Sequence, residues 1–297
     1  MKILVFGSLN LDFVYQVDHF VQPGETLSSS SMRIHCGGKG LNQSIALGRT
    51  GCEVYHAGRV GPDGGPLLDK LKTAGVDVRF VETVGTPTGN AIIQVDRHGQ
   101  NGILLYGGAN RTVDRDLVDR VLSGFEAGDL ILLQNEISEI PYIMECATAK
   151  GLRICLNPSP ADESLFTYPL SQVRYLVLNE IEGERLTGEN DPDRIVDALL
   201  HYSPEIAVVL TLGQNGVLFG DRDRKLRHGI YAVVAVDTTA AGDTFTGFFL
   251  GAVVRGLPTE TCLQYATAAA ALCVSKAGAA DSIPTWAETE HFLRDLP

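Results

Sequence analysis

The stretch DTTAAGD, Asp237 to Asp243, joins two segments of different character. Before it, IYAVVAV is β-branched and apolar and predicts a strand; after it, TFTGFFLGAVV predicts an apolar, closely packed helix. The small side chains of Ala240, Ala241 and Gly242 would let a ligand approach the backbone. The first N–H groups of a helix have no partner within it, so an anion suits this turn. A second candidate is CGGKGLNQSIALGRTG, in which two glycines and Lys39 lie between a predicted strand and a helix that ends near Gly51. It is not the phosphate loop of P-loop nucleotide-binding proteins, because residue 33 is Arg and Lys39 is followed by Gly40, and the chain has no GxGxxG. Further polar residues fall just beyond apolar runs: Asn10 and Asp12, Glu136, Asn157, Asn179 and Glu182, Thr211 with Gly213, and Ala240 to Asp243. Singly, each is also an ordinary cap or turn residue. Together they mark one rim, since ligands of open parallel sheets collect beyond the carboxyl ends of the strands.

The elements that must carry this rim are continuous apolar runs, KILVF, DLILLQ, LRICLN, RYLVLN and IAVVLT, each followed by a polar turn and a helix-period segment. Continuous rather than alternating runs predict a parallel sheet covered by helices on both faces. Two segments break the alternation. Residues 11–36 carry FVYQV and SMRIHC, and residues 89–107 carry AIIQVD, the turn RHGQNG and ILLY, which reads as a hairpin. Together they predict a small accessory sheet placed as a lid over the strand ends.

With 297 residues, 44% of them hydrophobic, the chain can bury a sizeable core. A net charge of −12 argues against nucleic-acid or anionic-membrane partners, so any phosphate needs a local site. The cysteines, at 36, 52, 146, 155, 262 and 273, have no metal-ligand spacing and suit a reducing cytoplasm. No signal-peptide core or membrane-length apolar run is expected.

GGKGLNQSIALGRTG and DTTAAGDTFTGFFLGAV resemble the two signature regions of the ribokinase-like, or pfkB-type, sugar kinases, and GSLNLD, PGET, GGAN, NPSPA, LNEIEGERLTG and TLGQNG fall in that family's order. The resemblance implies a single kinase domain over 1–297, a three-layer α/β/α fold with a mostly parallel central sheet and a small β lid. It implies transfer of the ATP γ-phosphoryl group to the primary hydroxyl of a sugar, with D-ribose first and fructose, a deoxy sugar or a nucleoside as alternatives. Such transfer needs positioning and charge neutralisation more than covalent help. Asp243 is then the base that takes the hydroxyl proton, although an aspartate there also complements the helix dipole. Ala240, Ala241 and Gly242 form the anion hole, with free N–H groups expected from Ala241 to Asp243.

The same resemblance carries sugar binding onto Asn10, Asp12, Gly38, Lys39, Asn42 and Glu136, and ATP binding onto Asn179, Thr211, Gly213, Gly216, Gly242 and Thr267. Glu182 would orient water on Mg²⁺. An activating K⁺ would be held by Asp237, Thr239, Cys273, Lys276, Gly278 and Ser282, mostly through backbone carbonyls, and a homodimer would form through the lid. Departures from the pattern are Asn135 beside Glu136, Gly65 and Pro66 in GPDGGP, and Asp281, which stands where these kinases often have proline and would strengthen the cation site or be neutralised by Lys276. Two other classes are disfavoured. A nicotinamide-dependent oxidoreductase lacks its GxGxxG, and a non-catalytic sensor would be expected to have lost Asp243.

Overall fold

The computed structural model describes residues 1–295. Its strands are β1 (Ile3–Phe6), β2 (Asn10–Gln16), β3 (Ser31–Gly37), β4 (Val54–Val60), β5 (Asp77–Thr83), β6 (Gly89–Val95), β7 (Asn101–Tyr106), β8 (Leu130–Gln134), β9 (Arg153–Asn157), β10 (Val173–Asn179), β11 (Ala207–Thr211), β12 (Val217–Gly220) and β13 (Lys225–His228). The apolar runs lie inside β1, β8, β9, β10 and β11, which are buried almost throughout. Nine strands form one sheet in the order β13-β12-β11-β10-β9-β8-β1-β4-β5, parallel except for the antiparallel pairs β11/β12 and β12/β13. Consecutive growth from β1 runs through β4 to β5 on one side and resumes with β8 on the other, so β1/β8 is the topological switch point at which a crevice opens.

The helices are α1 (Lys39–Arg49), α2 (Gly65–Thr73), α3 (Arg115–Leu122), α4 (Ile140–Ala149), α5 (Glu180–Thr187), α6 (Pro192–Leu200), α7 (Ala241–Val254), α8 (Thr259–Val274), α9 (Ala279–Ser282) and α10 (Trp286–Arg294). Alternate residues of β1 point to opposite faces. Ile3 and Val5 pack with α1, α2, α7 and α8, whereas Leu4 and Phe6 pack with α3, α4, α5 and α6. These are the three expected layers. Pro66 sits in the first turn of α2, where a missing N–H costs nothing.

The accessory segments form a separate four-stranded sheet, β3-β2-β6-β7, in which β6 and β7 are the antiparallel hairpin read from the sequence. One expectation fails: IYAVVAV forms no strand. Ile230, Val234 and Val236 are exposed, and the backbone there bonds the end of α8, with Val236 and Asp237 N–H both donated to Val274 O. The run thus ends bonded to a helix terminus rather than in a strand ladder.

Helices α1 and α7 touch at Gly247 with only the Ala46 methyl between them. A Cβ on Gly247 would lie 2.4 Å from Ala46 Cβ and 3.0 Å from Leu47 N. One turn nearer the rim, the same crossing brings Asn42 and Gln43 against Asp243. Gly247→Val should therefore overpack the crossing at roughly 1–3 kcal/mol and part these residues. Thermal melting should show a lowered Tm, and an unchanged Tm would mean that the helices separate freely.

Candidate active site

Asp243 opens α7 and is 8% exposed. Asn42 Nδ2 donates to its Oδ2 at 3.0 Å and Gln43 Nε2 to its Oδ1 at 2.8 Å. Gln43 Nε2 also donates to Asn157 Oδ1 at 2.9 Å, and Gln43 Oε1 accepts from Gln134 Nε2 at 2.7 Å. A carboxylate held by amide donors is fixed in rotation and ready to accept. Asn42 Oδ1 is buried without a partner among the described residues, which leaves an acceptor for a ligand hydroxyl.

The turn before α7 differs from expectation at one amide. Ala241 N–H is donated to Thr238 O at 3.3 Å, so within the α7 turn the groups left free are those of Gly242 and Asp243. Ala240 holds the left-handed conformation (φ 63°, ψ 8°), which costs a non-glycine residue about 1–2 kcal/mol. A Cβ on Gly242 would meet no protein atom within 4 Å. The fold does not require glycine there; an approaching ligand would.

Across the switch point, Glu136 follows β8 and Ser8 follows β1. Ser8 Oγ and Lys39 N, the latter at 3.1 Å, both donate to Glu136 Oε2. Burial pushes the Glu136 carboxyl above its ordinary range, against the pull of Lys39 and these donors. Asp12, on β2 and over Gly37, is pushed up to about 7 by burial and then by the charge of Glu136. Burial alone would lower the Lys39 ammonium, but Asp243, Glu136 and Glu182 outweigh it and raise it. Gly38, with φ 94°, caps α1 against Ser8 and Asn10, a conformation open to glycine. Asn10 is engaged structurally: its Oδ1 accepts from Asn110 Nδ2 at 2.7 Å.

A cleft of about 230 Å³ is lined by Lys39, Asn157, Asn179, Glu182, Thr211 and the turn Ala240 to Asp243, among others. Asn179 and Glu182 form a reciprocal capping box: Glu182 N donates to Asn179 Oδ1 at 2.9 Å and Asn179 N to Glu182 Oε2 at 3.0 Å. Gly213 and Gly216 bracket the short turn after β11 and do not line the cleft. Neither does Thr267, which is buried on α8 with its hydroxyl unpartnered.

The description "pfkB family carbohydrate kinase" fits residues 1–286. The chain belongs to this family. It is 35% identical over 300 residues to the ribokinase of Haemophilus influenzae, covering 98% of each chain. Its fold matches the ribokinase structure of Thermotoga maritima at a TM-score of 0.87, with 35% identity and 99% of both chains covered. The Arabidopsis thaliana ribokinase complexed with ribose and ATP matches at 0.86, with 30% identity and 99% of both chains covered. The fold of this carbohydrate kinase is thus the ribokinase-like α/β fold.

Beside the cleft of the kinase, two loops are stitched by Asp237. Its Oδ1 accepts from Thr239 N at 2.9 Å and Thr239 Oγ1 at 2.6 Å, and its Oδ2 from Gly278 N at 3.0 Å. Burial raises the Asp237 carboxyl, but these donors prevail and hold it below its ordinary range. Cys273 Sγ lies 3.0 Å from Ser282 Oγ and 3.7 Å from Thr239 O. Lys276 does not neutralise Asp281: Asp281 pairs with Lys70 on α2, and Lys276 with Glu288 on α10 at 3.3 Å. Sequence reasoning gave no site role to Gln43, Ser8, Gln134 or Thr238. The available signal was the polar run NQS amid Leu41, Ile45, Ala46 and Leu47, because buried amides demand partners.

Asp12 gives a pH prediction. Its ordinary value is 3.8, so between about pH 4 and 7 the folded kinase keeps a proton that the unfolded chain has lost. Stability therefore falls as pH rises through that window, and the cost is complete above it. Asp12→Asn should raise Tm by a few degrees at about pH 8, with the gain shrinking toward pH 4. Melting curves across that range check this; a pH-independent gain would contradict the assigned environment.

Proposed function

We propose that this kinase transfers the γ-phosphoryl group of ATP to the primary hydroxyl of D-ribose, giving ribose 5-phosphate and ADP. The observation that carries the reading is Asp243, fixed by two amide donors beside the free N–H groups of Gly242 and Asp243. The likeness to ribokinases, one of them complexed with ribose and ATP, supports the choice of sugar.

Asp12, Asn42, Lys39 and Glu136 hold the sugar hydroxyls, with Asn10 and Gly38 shaping the floor. Asp243 takes the proton of the attacking hydroxyl as its oxygen bonds to the γ-phosphorus and the bond to the ADP oxygen breaks. Negative charge on the transferred group meets the N–H groups at the start of α7, the positive end of the helix dipole, and the Lys39 ammonium. Ala240 and Ala241 shape that hole, and Ala241 contributes through its bond to Thr238 rather than through a free N–H. Asn179, Thr211, Gly213, Gly216 and Thr267 serve the nucleotide side.

Mg²⁺ fits the donor set: Glu182 lines the cleft and suits a water-mediated contact, since this ion retains waters beside substrate phosphates. It would neutralise charge on the transferring phosphate. K⁺ fits the oxygens of the two loops stitched by Asp237, with Thr239, Cys273, Lys276, Gly278 and Ser282 supplying carbonyls or a hydroxyl. There it would hold the anion-hole turn in place. The four-stranded sheet acts as the lid, and its exposed Ile103, Leu104, Leu105 and Tyr106 suit pairing with a second copy. The free cysteines suit a reducing cytoplasm.

ADP release measured over ribose, deoxyribose, fructose and nucleosides tests the function. Ribose should give the highest kcat/KM, and Asp243→Asn should bind both substrates yet lose about 10²-fold or more in kcat. Preference for another acceptor would overturn the sugar, and parental turnover in Asp243→Asn would overturn the base. Stepwise K⁺ at constant ionic strength should raise turnover more than Na⁺ does. A flat response would remove the cation from the mechanism.

A further inference from the structure

Gln43 lies on α1 with no exposed surface and does not line the cleft, yet its amide is fully committed. Both hydrogens of Nε2 are used, one on Asp243 Oδ1 at 2.8 Å and one on Asn157 Oδ1 at 2.9 Å. An ionised carboxylate only accepts, so the atom of Gln43 that faces Asp243 must be nitrogen. That choice turns Oε1 toward Gln134, whose Nε2 donates to it at 2.7 Å. Asn157 is pinned from its other side, where Nδ2 donates to Val177 O on β10 at 2.9 Å. The orientation of each amide therefore follows from the charge on Asp243 at one end and the β10 backbone at the other.

This arrangement is unfavourable for stability alone. Among the described residues Gln134 Oε1 is left buried without a partner, against Gly7. Apolar side chains at these positions would avoid that penalty. The chain of amides makes sense if the carboxylate needs it.

We propose that Gln43 is a positioning residue for phosphoryl transfer: with Asn42 on the other oxygen, it fixes the rotation of the Asp243 carboxylate without touching substrate. The inference rests on the reading of Asp243 as the base. Without this donor the carboxylate can turn away from the attacking hydroxyl, which lowers kcat and leaves ground-state binding in place.

The test is kcat and both KM values for the parent, Gln43→Leu and Gln43→Met, each also made in the Asp243→Asn background. Gln43→Leu should lower kcat by about ten- to a hundredfold with KM for ribose and ATP within a few-fold. Gln43→Met, close to glutamine in length and without a donor, guards against misfolding of the leucine variant and should lose as much. In the Asp243→Asn background neither substitution should lower the residual kcat further, because the carboxylate they would misplace is gone. A residue that only packs would lower Tm and the active fraction, counted by ribose titration, equally in both backgrounds. If Asp243→Asn loses turnover while the Gln43 variants keep the parental kcat per active site, this inference falls and the base stands. If Asp243→Asn keeps parental turnover, the base reading falls and this inference with it.

Discussion

The separation of α1 and α7 is the constraint on which the site depends. Because Gly247 offers no Cβ, Ala46 can press against the α7 backbone, and the side chains one turn away meet within hydrogen-bond reach. Any larger residue would hold the helices apart at a separation set by apolar packing. The closeness places an acidic group in a region that α1, α7 and the sheet fill with Leu41, Ile45, Phe249 and Val5. Such a group needs partners, and Asn42 and Gln43 supply them while Gln134 and Asn157 supply partners in turn. Packing and chemistry are here one decision.

The rest of the rim works against stability in the same way. Asp12 and Glu136 crowd two carboxyl groups into one half-buried corner, with Lys39 as the compensating charge. Ala240 holds a left-handed turn that glycine would adopt more cheaply, and Asn42 leaves a buried oxygen unpartnered among the described residues. These features gather around the cleft, while the layers beneath them are built mostly of apolar side chains.

Much of this was legible in the sequence. The continuous apolar runs became central strands because burial on both faces leaves no place for alternation. The hairpin announced itself through RHGQNG between two apolar runs. What stayed hidden depends on who the neighbour is. IYAVVAV has strand composition, yet it ends with Val236 N–H donated to the terminus of α8 and joins no ladder. Asn179 and Glu182 have the spacing of a capping box, and only the cleft beside them distinguishes a cap from a cap with a second role. Gln43 shares no local pattern with Asp243, because they are 200 positions apart.

The four-stranded sheet leaves the main sheet twice, once between β1 and α1 and again between β5 and α3, and returns each time to the same end of the strands. Neither excursion takes part in the register of the nine-stranded sheet. The excursions can therefore lengthen, shorten or change sequence without disturbing the pairing that supports the anion hole. Asp12 rides on one of them, whereas Asp243 belongs to the helix layer of the main sheet. Of the residues proposed to hold the acceptor, Asp12 alone thus sits on a module separable from the main frame, so divergence within such a scaffold can retune that edge of the site while Lys39, Asn42, Glu136 and Asp243 stay in place.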